Sequence, residues 1–512
     1  MKTFAAIDVG SYEVAMKIFE ISPGKGLKQI DHIRHRIELG TDTYHTGKVS
    51  ASRMDELCDV LSAYEKVMRS YKVDAYKAYG TSAIRETDNT MVVIEQIKLR
   101  TGIEVEVLSN SEQRFMHYKA VASRGENFEK MMKRSCAIVD IGGGSIQISL
   151  FEKDALVTTQ NIRLGVLRVK DMLSSLQART IDYSKLLGEL IDNQLESFKS
   201  LYLDDRRICN IIIVDDYISR AMKIIRAGDD MISLSEFKDL IGSFRDKSIE
   251  HTASALGMDE ESAMLLPQSI VLLEKIADMM GASTLWAPGV SLSDGIAYEY
   301  AENNRLLSVS HDFDADIMAA AEVLCNRYGG NIERNRLVER VALLIYDDTK
   351  KIHKMGKRER LLLRIAAMLS DCGKYISLEA AAECGYEIIM ATEMIGLSHA
   401  EREIIANIVR FNKVTFEYYK DRTTPTLLDR DNYLIVAKLT AIFRVADGIC
   451  RSYRTKFEGI RTMIKEQDFI ITIDSEEDFS LEKGFFSRKS GLFEEVFALK
   501  PVLRNKKKFN AI

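Results

Sequence analysis

Proline, tryptophan and paired cysteines are scarce in this chain, and each shortage argues against a class of protein. Five prolines and one tryptophan occur in 512 residues, so proline-rich linkers are excluded and we expect short connections or shared helices between domains. The seven cysteines are scattered, odd in number and never spaced C-x-x-C, which argues against a disulfide framework and a zinc ribbon. We therefore expect core thiols in a reducing compartment.

Strong net charge and long apolar runs are also missing. A formal charge of -5 with 29% charged residues gives no general attraction to nucleic acid or to an anionic membrane, so any polyanionic ligand needs a local site. No run of 18 or more apolar residues occurs, and the start MKTFAAIDVG is too short an apolar stretch for a signal peptide. We expect a cytoplasmic protein with no membrane or nucleic-acid partner.

Two segments of the N-terminal half echo each other. FAAIDVGS at Phe4–Ser11 and CAIVDIGGGS at Cys136–Ser145 both run from an apolar stretch through Asp and glycine to Ser, and β-prone residues follow each. This pattern is typical of a hairpin with exposed backbone amides at its turn, because glycine lets an oxyanion approach the backbone closely. The repeated pattern indicates two α/β lobes that face each other across a cleft.

The pattern changes near residue 306 to almost continuous amphipathic helix, and the last part returns to short strands and a helix. A chain of 512 residues exceeds what one hydrophobic core serves, so three or four domains are expected. We place a first lobe at residues 1–125, a second lobe at 126–305, a helical domain at 306–455 and a small α/β domain at 456–512.

Four segments stand in a fixed order along the first half: AAIDVGS, YGTSAIRETDN, EVEVLSNSEQRF and VDIGGGS. In this order and at these spacings they resemble the exopolyphosphatase/guanosine pentaphosphate phosphohydrolase (Ppx/GppA) family. Later segments, among them GLSHAEREIIANIVR and FEEVFALKPVL, resemble the C-terminal parts of longer members. The resemblance implies an α/β fold with two actin-like lobes, of the ribonuclease H and sugar kinase class, around a cleft. A mostly α-helical HD-like domain with a small α/β end would follow.

The resemblance also implies a phosphate cradle between the lobes. Backbone amides and hydroxyls of the two turns would hold phosphoryl oxygens, Arg85 would fork onto a phosphate, and Asp8 and Asp140 would hold a hydrated Mg²⁺. The expected phosphate-binding residues are Gly10, Ser11, Thr81, Ser82, Arg85, Gly142, Gly143, Gly144 and Ser145. For Arg85, a surface ion pair with a neighbouring acid is the alternative.

Two catalytic positions carry an amide where the family has a carboxylate. The family's general base falls on Gln113 in SNSEQRF, with Glu112 one position earlier, and the second acidic position falls on Gln147 in GGGSIQ. An amide keeps the shape of the side chain but cannot accept a proton from water. The pattern therefore favours ligand binding with weakened hydrolysis.

Further departures point in the same direction. Tyr12 and Glu13 replace polar residues of the first turn, and Glu13 would repel a phosphate if it faced the cleft. Asp215, Asp216 and Tyr217 replace a glycine-rich loop of the second lobe. No compensating basic cluster is apparent in the sequence.

The helical region lacks the ligands of an HD-type metal centre. Its expected His-Asp pair reads Ser370-Asp371, and the other expected histidines read Leu337, Cys384 and Asn412. Imidazole ligands are absent from these positions, so we expect no metal there and a role as scaffold or interface.

Three functions stay open at this point. The first is an active Mg²⁺-dependent hydrolase that releases terminal phosphate from polyphosphate or guanosine pentaphosphate, with Glu112 or Glu13 as the base. The second is a binding or regulatory protein that closes on such a ligand, or on a protein partner, with little turnover. The third is ATP-dependent kinase chemistry on the actin-like scaffold. The resemblance also implies a homodimer.

Overall fold

The structure is a computed structural model that describes residues 2–23, 26–153, 155–169, 172, 183–214, 216–225, 230–242, 247–258, 260–307, 311–420, 426–452 and 459–506. The chain divides into two compact units, residues 1–312 and residues 313–512. The division lies a few residues beyond position 306, where the sequence pattern becomes helical. Within the described ranges, no helix has the length and apolarity needed to cross a membrane.

Two mixed sheets form the framework of the first unit. Their strands are β1 (Lys2–Val9), β2 (Glu13–Ser22), β3 (Gly26–Arg36), β4 (Ala75–Gly80), β5 (Val105–Val107), β6 (Cys136–Ile141), β7 (Ile146–Glu152), β8 (Ala155–Ile162), β9 (Asn210–Val214), β10 (Met231–Ser233) and β11 (Thr284–Trp286). The strand orders are β3-β2-β1-β4-β5 and β10-β11-β9-β6-β7-β8.

The two sheets repeat one design. In each, three antiparallel strands (β1–β3, then β6–β8) come first, and the leading strand then pairs in parallel with a later one, β4 or β9. A further parallel strand, β5 or β11, lies beside it. This repeat confirms the two α/β lobes predicted from the echo of the two glycine turns.

Helices connect and cover the strands of the first unit. They are α1 (Leu39–Thr46), α2 (Ala51–Ser70), α3 (Ser82–Glu86), α4 (Thr90–Thr101), α5 (Asn110–Ala122), α6 (Glu126–Met132), α7 (Tyr183–Phe198), α8 (Asp216–Ile225), α9 (Leu234–Gly242), α10 (Ile249–Ala255), α11 (Glu260–Met280) and α12 (Leu292–Asn303). A short π-helical segment, Lys199–Leu203, continues α7.

Burial on both faces fixes β1 in the middle of its sheet. Alternate side chains point to opposite faces of a strand: Ala5 and Ile7 pack in one core, whereas Phe4 and Ala6 pack in another that includes residues of α12. The carboxyl end of β1, and with it Asp8, is thereby held at the edge of the sheet.

In the second lobe the only tryptophan of the chain, Trp286, is fully buried on β11.

The second unit is mostly helical and ends in a small sheet. Its helices are α13 (Phe313–Arg327), α14 (Ile332–Asp348), α15 (Lys350–His353), α16 (Lys357–Met368), α17 (Ala381–Ala391), α18 (His399–Phe411), α19 (Arg430–Ile449), α20 (Ser480–Lys489) and α21 (Gly491–Phe497). Three strands, β12 (Gly459–Lys465), β13 (Asp468–Asp474) and β14 (Lys500–Lys506), form its sheet, in which β13 is central. A helical domain with a small α/β end is therefore confirmed.

Candidate functional site

Two equivalent turns follow β1 and β6. The amide of Gly10 donates to the carbonyl of Glu13 at 3.0 Å, and the amide of Gly142 donates to the carbonyl of Ser145 at 3.0 Å. These two amides close their own turns, and phosphate binding at Gly10 and Gly142 stays a prediction. In the described part of the chain, the amides of Ser11, Gly143 and Gly144 have no such partner.

Both turns border a single cleft with a volume of about 150 Å³. Its lining includes the predicted residues Asp8, Gly10, Ser11, Thr81, Ser82, Gln113, Asp140, Gly142 and Gly143. It also includes Tyr12, Glu13, Arg34, His117, Ile141, Val214, Val290, Ser291 and Leu292. The volume is below the roughly 300–1,000 Å³ of pockets that enclose a whole small molecule, so the cleft suits the end of a ligand.

Three hydroxyl groups meet at one side of this cleft. Ser11 Oγ lies 2.6 Å from Ser82 Oγ, and Tyr44 Oη lies 2.9 Å from the first and 3.0 Å from the second. Burial raises the pKa of Tyr44, so its hydroxyl keeps its proton at neutral pH. Since each hydroxyl can donate one hydrogen bond and accept others, the group can turn its donors toward an oxyanion.

Tyr44 also joins the first lobe to the glycine turn of the second. Arg168 lies over the Tyr44 ring at 4.1 Å, donates from Nε to the carbonyl of Gly144 at 2.7 Å and forms an ion pair with Glu86. A Cβ at Gly144 would stand 2.2 Å from Tyr44 Oη, so this contact requires glycine. The side chains of Tyr44 and Arg168 thus link the two lobes beside the cleft.

Carboxylates outnumber cations among the cleft-lining side chains. Asp8, Glu13 and Asp140 line it together with Arg34, which donates to Glu13 Oε1 from Nε at 2.8 Å and from Nη2 at 2.6 Å. Arg34 was not predicted from the sequence, and it pairs with Glu13, whose negative charge was expected to repel a phosphate. A signal for it existed, because β3 pairs with the strand that follows the first turn.

The two predicted metal ligands do line the same cleft. Mg²⁺ in phosphate sites is usually held by one or two carboxylates plus waters and ligand phosphates. Asp8 and Asp140 supply such a pair, and the surplus of negative charge in the cleft favours a cation. Their donor chemistry therefore fits the ion.

His117 is a second cleft residue that motif comparison missed. Its Nδ1 lies 2.8 Å from Asp140 Oδ2, and only 8% of its side chain is exposed. It follows Gln113 by four residues on α5, so the helical repeat alone puts both side chains on one face. The contact holds the Asp140 carboxylate in place.

Two predicted catalytic residues are directed elsewhere. Glu112 completes a capping box at the start of α5, where Oε2 accepts from Ser109 N at 2.9 Å and from Ser109 Oγ at 2.6 Å. Arg85 Nη1 donates to the carbonyl of Leu108 at 2.6 Å and lies 3.4 Å from Gln113 Oε1. Neither side chain lines the cleft. Arg85 contacts Gln113, which does line it.

Gln147 and Ser145 are also set back from the cleft surface. Gln147 is 2% exposed and pairs with Asp140 across β6 and β7. Its Oε1 is buried without a hydrogen-bond partner in the described ranges. A glutamate at this position would place a second buried carboxylate beside Asp140. Asp215 and the side chains of Asp216 and Tyr217 lie outside the described residues.

Comparison with known proteins shows the family to which this chain belongs. A model of the Ppx/GppA phosphatase family matches residues 17–304, more than half of the chain, and a model of Ppx/GppA phosphatase domain III matches residues 318–487. The chain belongs to the Ppx/GppA phosphatase family. This identification accounts for both units with a single family.

Individual relatives of this Ppx/GppA protein are distant. A guanosine-5'-triphosphate,3'-diphosphate pyrophosphatase of Aeromonas hydrophila is 20% identical over 417 residues, which is 80% of each chain. One of Vibrio parahaemolyticus is 20% identical over 413 residues, again 80% of each. The crystal structure of an exopolyphosphatase from Cytophaga hutchinsonii matches with a TM-score of 0.52 at 20% identity, over 60% of this chain and all of that one. This structural likeness shows the shared fold.

The second unit of this Ppx/GppA protein contains a buried ion-pair cluster. Arg334 Nη1 lies 3.5 Å from Asp371 Oδ2, and its Nη2 donates to Asp447 Oδ1. Lys374 Nζ lies 2.6 Å from Asp371 Oδ1, and Lys489 contacts the other oxygen of Asp447. The carboxylates of Asp371 and Asp447 are therefore both paired with cationic side chains of the chain itself.

The positions at which histidine was expected have other contacts. Leu337 is buried in the core, Cys384 is half-buried, and Asn412 accepts a hydrogen bond from Lys489 Nζ at 2.9 Å. His353, on a different helix, lies with Nε2 2.8 Å from the carbonyl of Tyr346, and burial lowers its pKa. His353 thus has a structural role. Asp447 was not singled out from the sequence, although its burial late in α19 follows the apolar repeat of that helix.

Proposed function

We propose that this chain binds the phosphate end of a phosphate-rich ligand, inorganic polyphosphate or guanosine pentaphosphate, in the cleft of its first unit, and that its hydrolysis is weak. Three features support the proposal: two glycine turns with amides open to a ligand, a cluster of three hydroxyls, and a small volume. The single observation that carries it is the position of Gln113. It lines the cleft where the family has its base.

Binding would use the donors of both lobes. The amides of Ser11 and Gly143 and the hydroxyls of Ser11 and Ser82 would contact phosphoryl oxygens. Asp8 and Asp140 would hold Mg²⁺, which supplies positive charge to the phosphate oxygens. Gln113 can hold a water by hydrogen bonds but cannot remove its proton. Loss of a general base typically costs about 10²- to 10⁴-fold in rate.

A second candidate function is an active hydrolase whose general base is a carboxylate other than the one at position 113. The geometry distinguishes between the two carboxylates considered for that role. Glu112 is used in the capping box and does not line the cleft. Glu13 does line the cleft, and its carboxylate pairs with Arg34. Of the two carboxylates first considered, Glu13 is therefore the stronger alternative base.

The test is phosphate release from polyphosphate and from guanosine pentaphosphate in Mg²⁺ buffer. We expect turnover below about 1 per second, slower than ordinary enzymes, and a rise of about tenfold or more in Gln113→Glu, whose carboxylate would lie beside Arg85. Gln29→Glu, an exposed change on β3, is the matched control and should have no effect. Fast turnover of the wild type that is lost in Glu13→Gln would favour the second candidate. Absence of binding to either ligand would refute the proposal.

The proposal extends to the second unit and to assembly. Since Arg334 contacts both Asp371 and Asp447, we propose that this unit holds no catalytic metal, and metal analysis of the purified chain tests this. A homodimer is the state that the family resemblance predicts, and the scattered cysteines predict a reducing, cytoplasmic compartment. Light scattering during size-exclusion chromatography would measure the assembly.

A further inference from the structure

The ion-pair cluster of the second unit has more positive than negative charge. Arg334, Lys374 and Lys489 neutralise Asp371 and Asp447. Three cations against two carboxylates already leave one positive charge in excess. A metal ion at these carboxylates would have to displace the guanidinium that lies between them.

Lys413, two residues beyond the end of α18, adds a fourth cation. Its Nζ is buried and makes no hydrogen bond to any residue that the structure describes. Asp371 and Lys374 act on it electrostatically, and burial lowers the pKa of its ammonium group. A buried donor without an acceptor costs on the order of 1–3 kcal/mol, and more if it is charged. The cluster therefore lacks one acceptor.

The surroundings of the cluster add to the positive potential. Arg444 and Arg451 both lie within electrostatic range of Lys489. Arg444 is held in place by the carbonyls of Phe411 and Val414, to which its guanidinium donates. Four basic side chains therefore meet two carboxylates in this cluster, so the partner that it lacks is an anion.

We propose that this cluster is an anion-binding site for a phosphate-class ligand, a diphosphate group, held by Lys374, Lys413 and Lys489. The side chains of Lys374 and Lys489 are 33% and 18% exposed, so these two would meet an anion that arrives from solvent, whereas Lys413 Nζ is buried. Each ammonium group offers three N–H donors, which suits the several oxygens of a diphosphate. The inference is independent of the cleft, because no residue of the first unit takes part.

Binding of inorganic pyrophosphate to the full chain, measured by titration calorimetry in phosphate-free buffer with EDTA, tests the proposal. A Ser11→Ala/Ser82→Ala background removes the hydroxyls of the cleft and so reduces any binding there. In that background we expect pyrophosphate binding to persist and Lys413→Met to weaken it at least tenfold. Lys374→Met, at a partly exposed position, is a second variant and should weaken it too. Lys483→Met, an exposed lysine on α20, is the matched charge control and should stay within twofold.

Equal pyrophosphate affinity with lysine or methionine at position 413 would overturn the inference, and so would loss of all binding in the cleft background. The latter result would leave the cleft proposal standing. Conversely, binding that depends on Lys413 and not on Ser11 and Ser82 would support the second site. It would leave the cleft proposal to its own test in Mg²⁺ buffer.

Discussion

Replacement of Arg334 by methionine should destabilise the second unit strongly. Its side chain is 3% exposed, and it contacts Asp371 and Asp447, which are 9% and 4% exposed. Removal of one partner from a buried ion pair leaves charge without compensation and costs about 3–5 kcal/mol. Lys374 and Lys489 still contact the carboxylates, so we expect the lower end, about 3 kcal/mol. For a unit of about 200 residues, each kcal/mol shifts the midpoint by about 2–4 °C, which gives a loss of about 6–12 °C.

Differential scanning calorimetry of Arg334→Met, with Arg336→Met as control, measures this effect. Arg336 lies on the same helix, but its pair with Glu322 is open to solvent, with side chains 60% and 34% exposed. Such a pair is worth about 0–1 kcal/mol, so the control should shift the midpoint by less than about 4 °C. If both variants unfold within about 1 kcal/mol of each other, the buried pair does not organise this unit and the reasoning is refuted.

Three further changes probe other contacts. Gln147→Glu should lower the midpoint of the first unit by several degrees in thermal unfolding, because it buries a carboxylate beside Asp140; an unchanged midpoint would contradict this. Gly144→Ala should destabilise the same unit, since its Cβ would stand 2.2 Å from Tyr44 Oη, and the additional change Tyr44→Phe should recover part of the loss; no recovery would place the strain elsewhere. Lys413→Met should stabilise the second unit by about 1 kcal/mol at pH 7 in phosphate-free buffer. Burial lowers the pKa of Lys413, so the unfolded chain binds more protons than the folded chain. The free energy of unfolding of the wild type, measured in urea, should therefore rise from pH 7 to pH 9. An equal rise in the Lys413→Met variant would show that another group is responsible.

The sequence predicted the framework because the framework depends on local patterns. The repeated apolar run, Asp and glycine turn predicted two hairpins, and the helical repeat predicted the second unit. These patterns also brought Asp8, Ser11 and Asp140 to one cleft, since strand ends lie at the edge of their sheet.

The direction of individual side chains could not be predicted in the same way. Glu112 and Arg85 stand in recognisable motifs, yet one caps a helix and the other bonds a carbonyl. Both contacts depend on the local backbone path, which a motif does not specify. Arg34 and His117 lie outside the motifs and reach the cleft through strand pairing and helical spacing. These two could have been found by asking which side chains share a face with Glu13 and with Gln113.

The buried position of Trp286 gives this chain a built-in optical probe. Because no other tryptophan occurs, fluorescence excited at the red edge of the indole band comes only from the second lobe, in the first unit. A change in emission wavelength on unfolding would therefore follow that lobe, while residues 313–512 contribute tyrosine signal alone. Emission and calorimetry on one sample would separate the unfolding of the two units without any label.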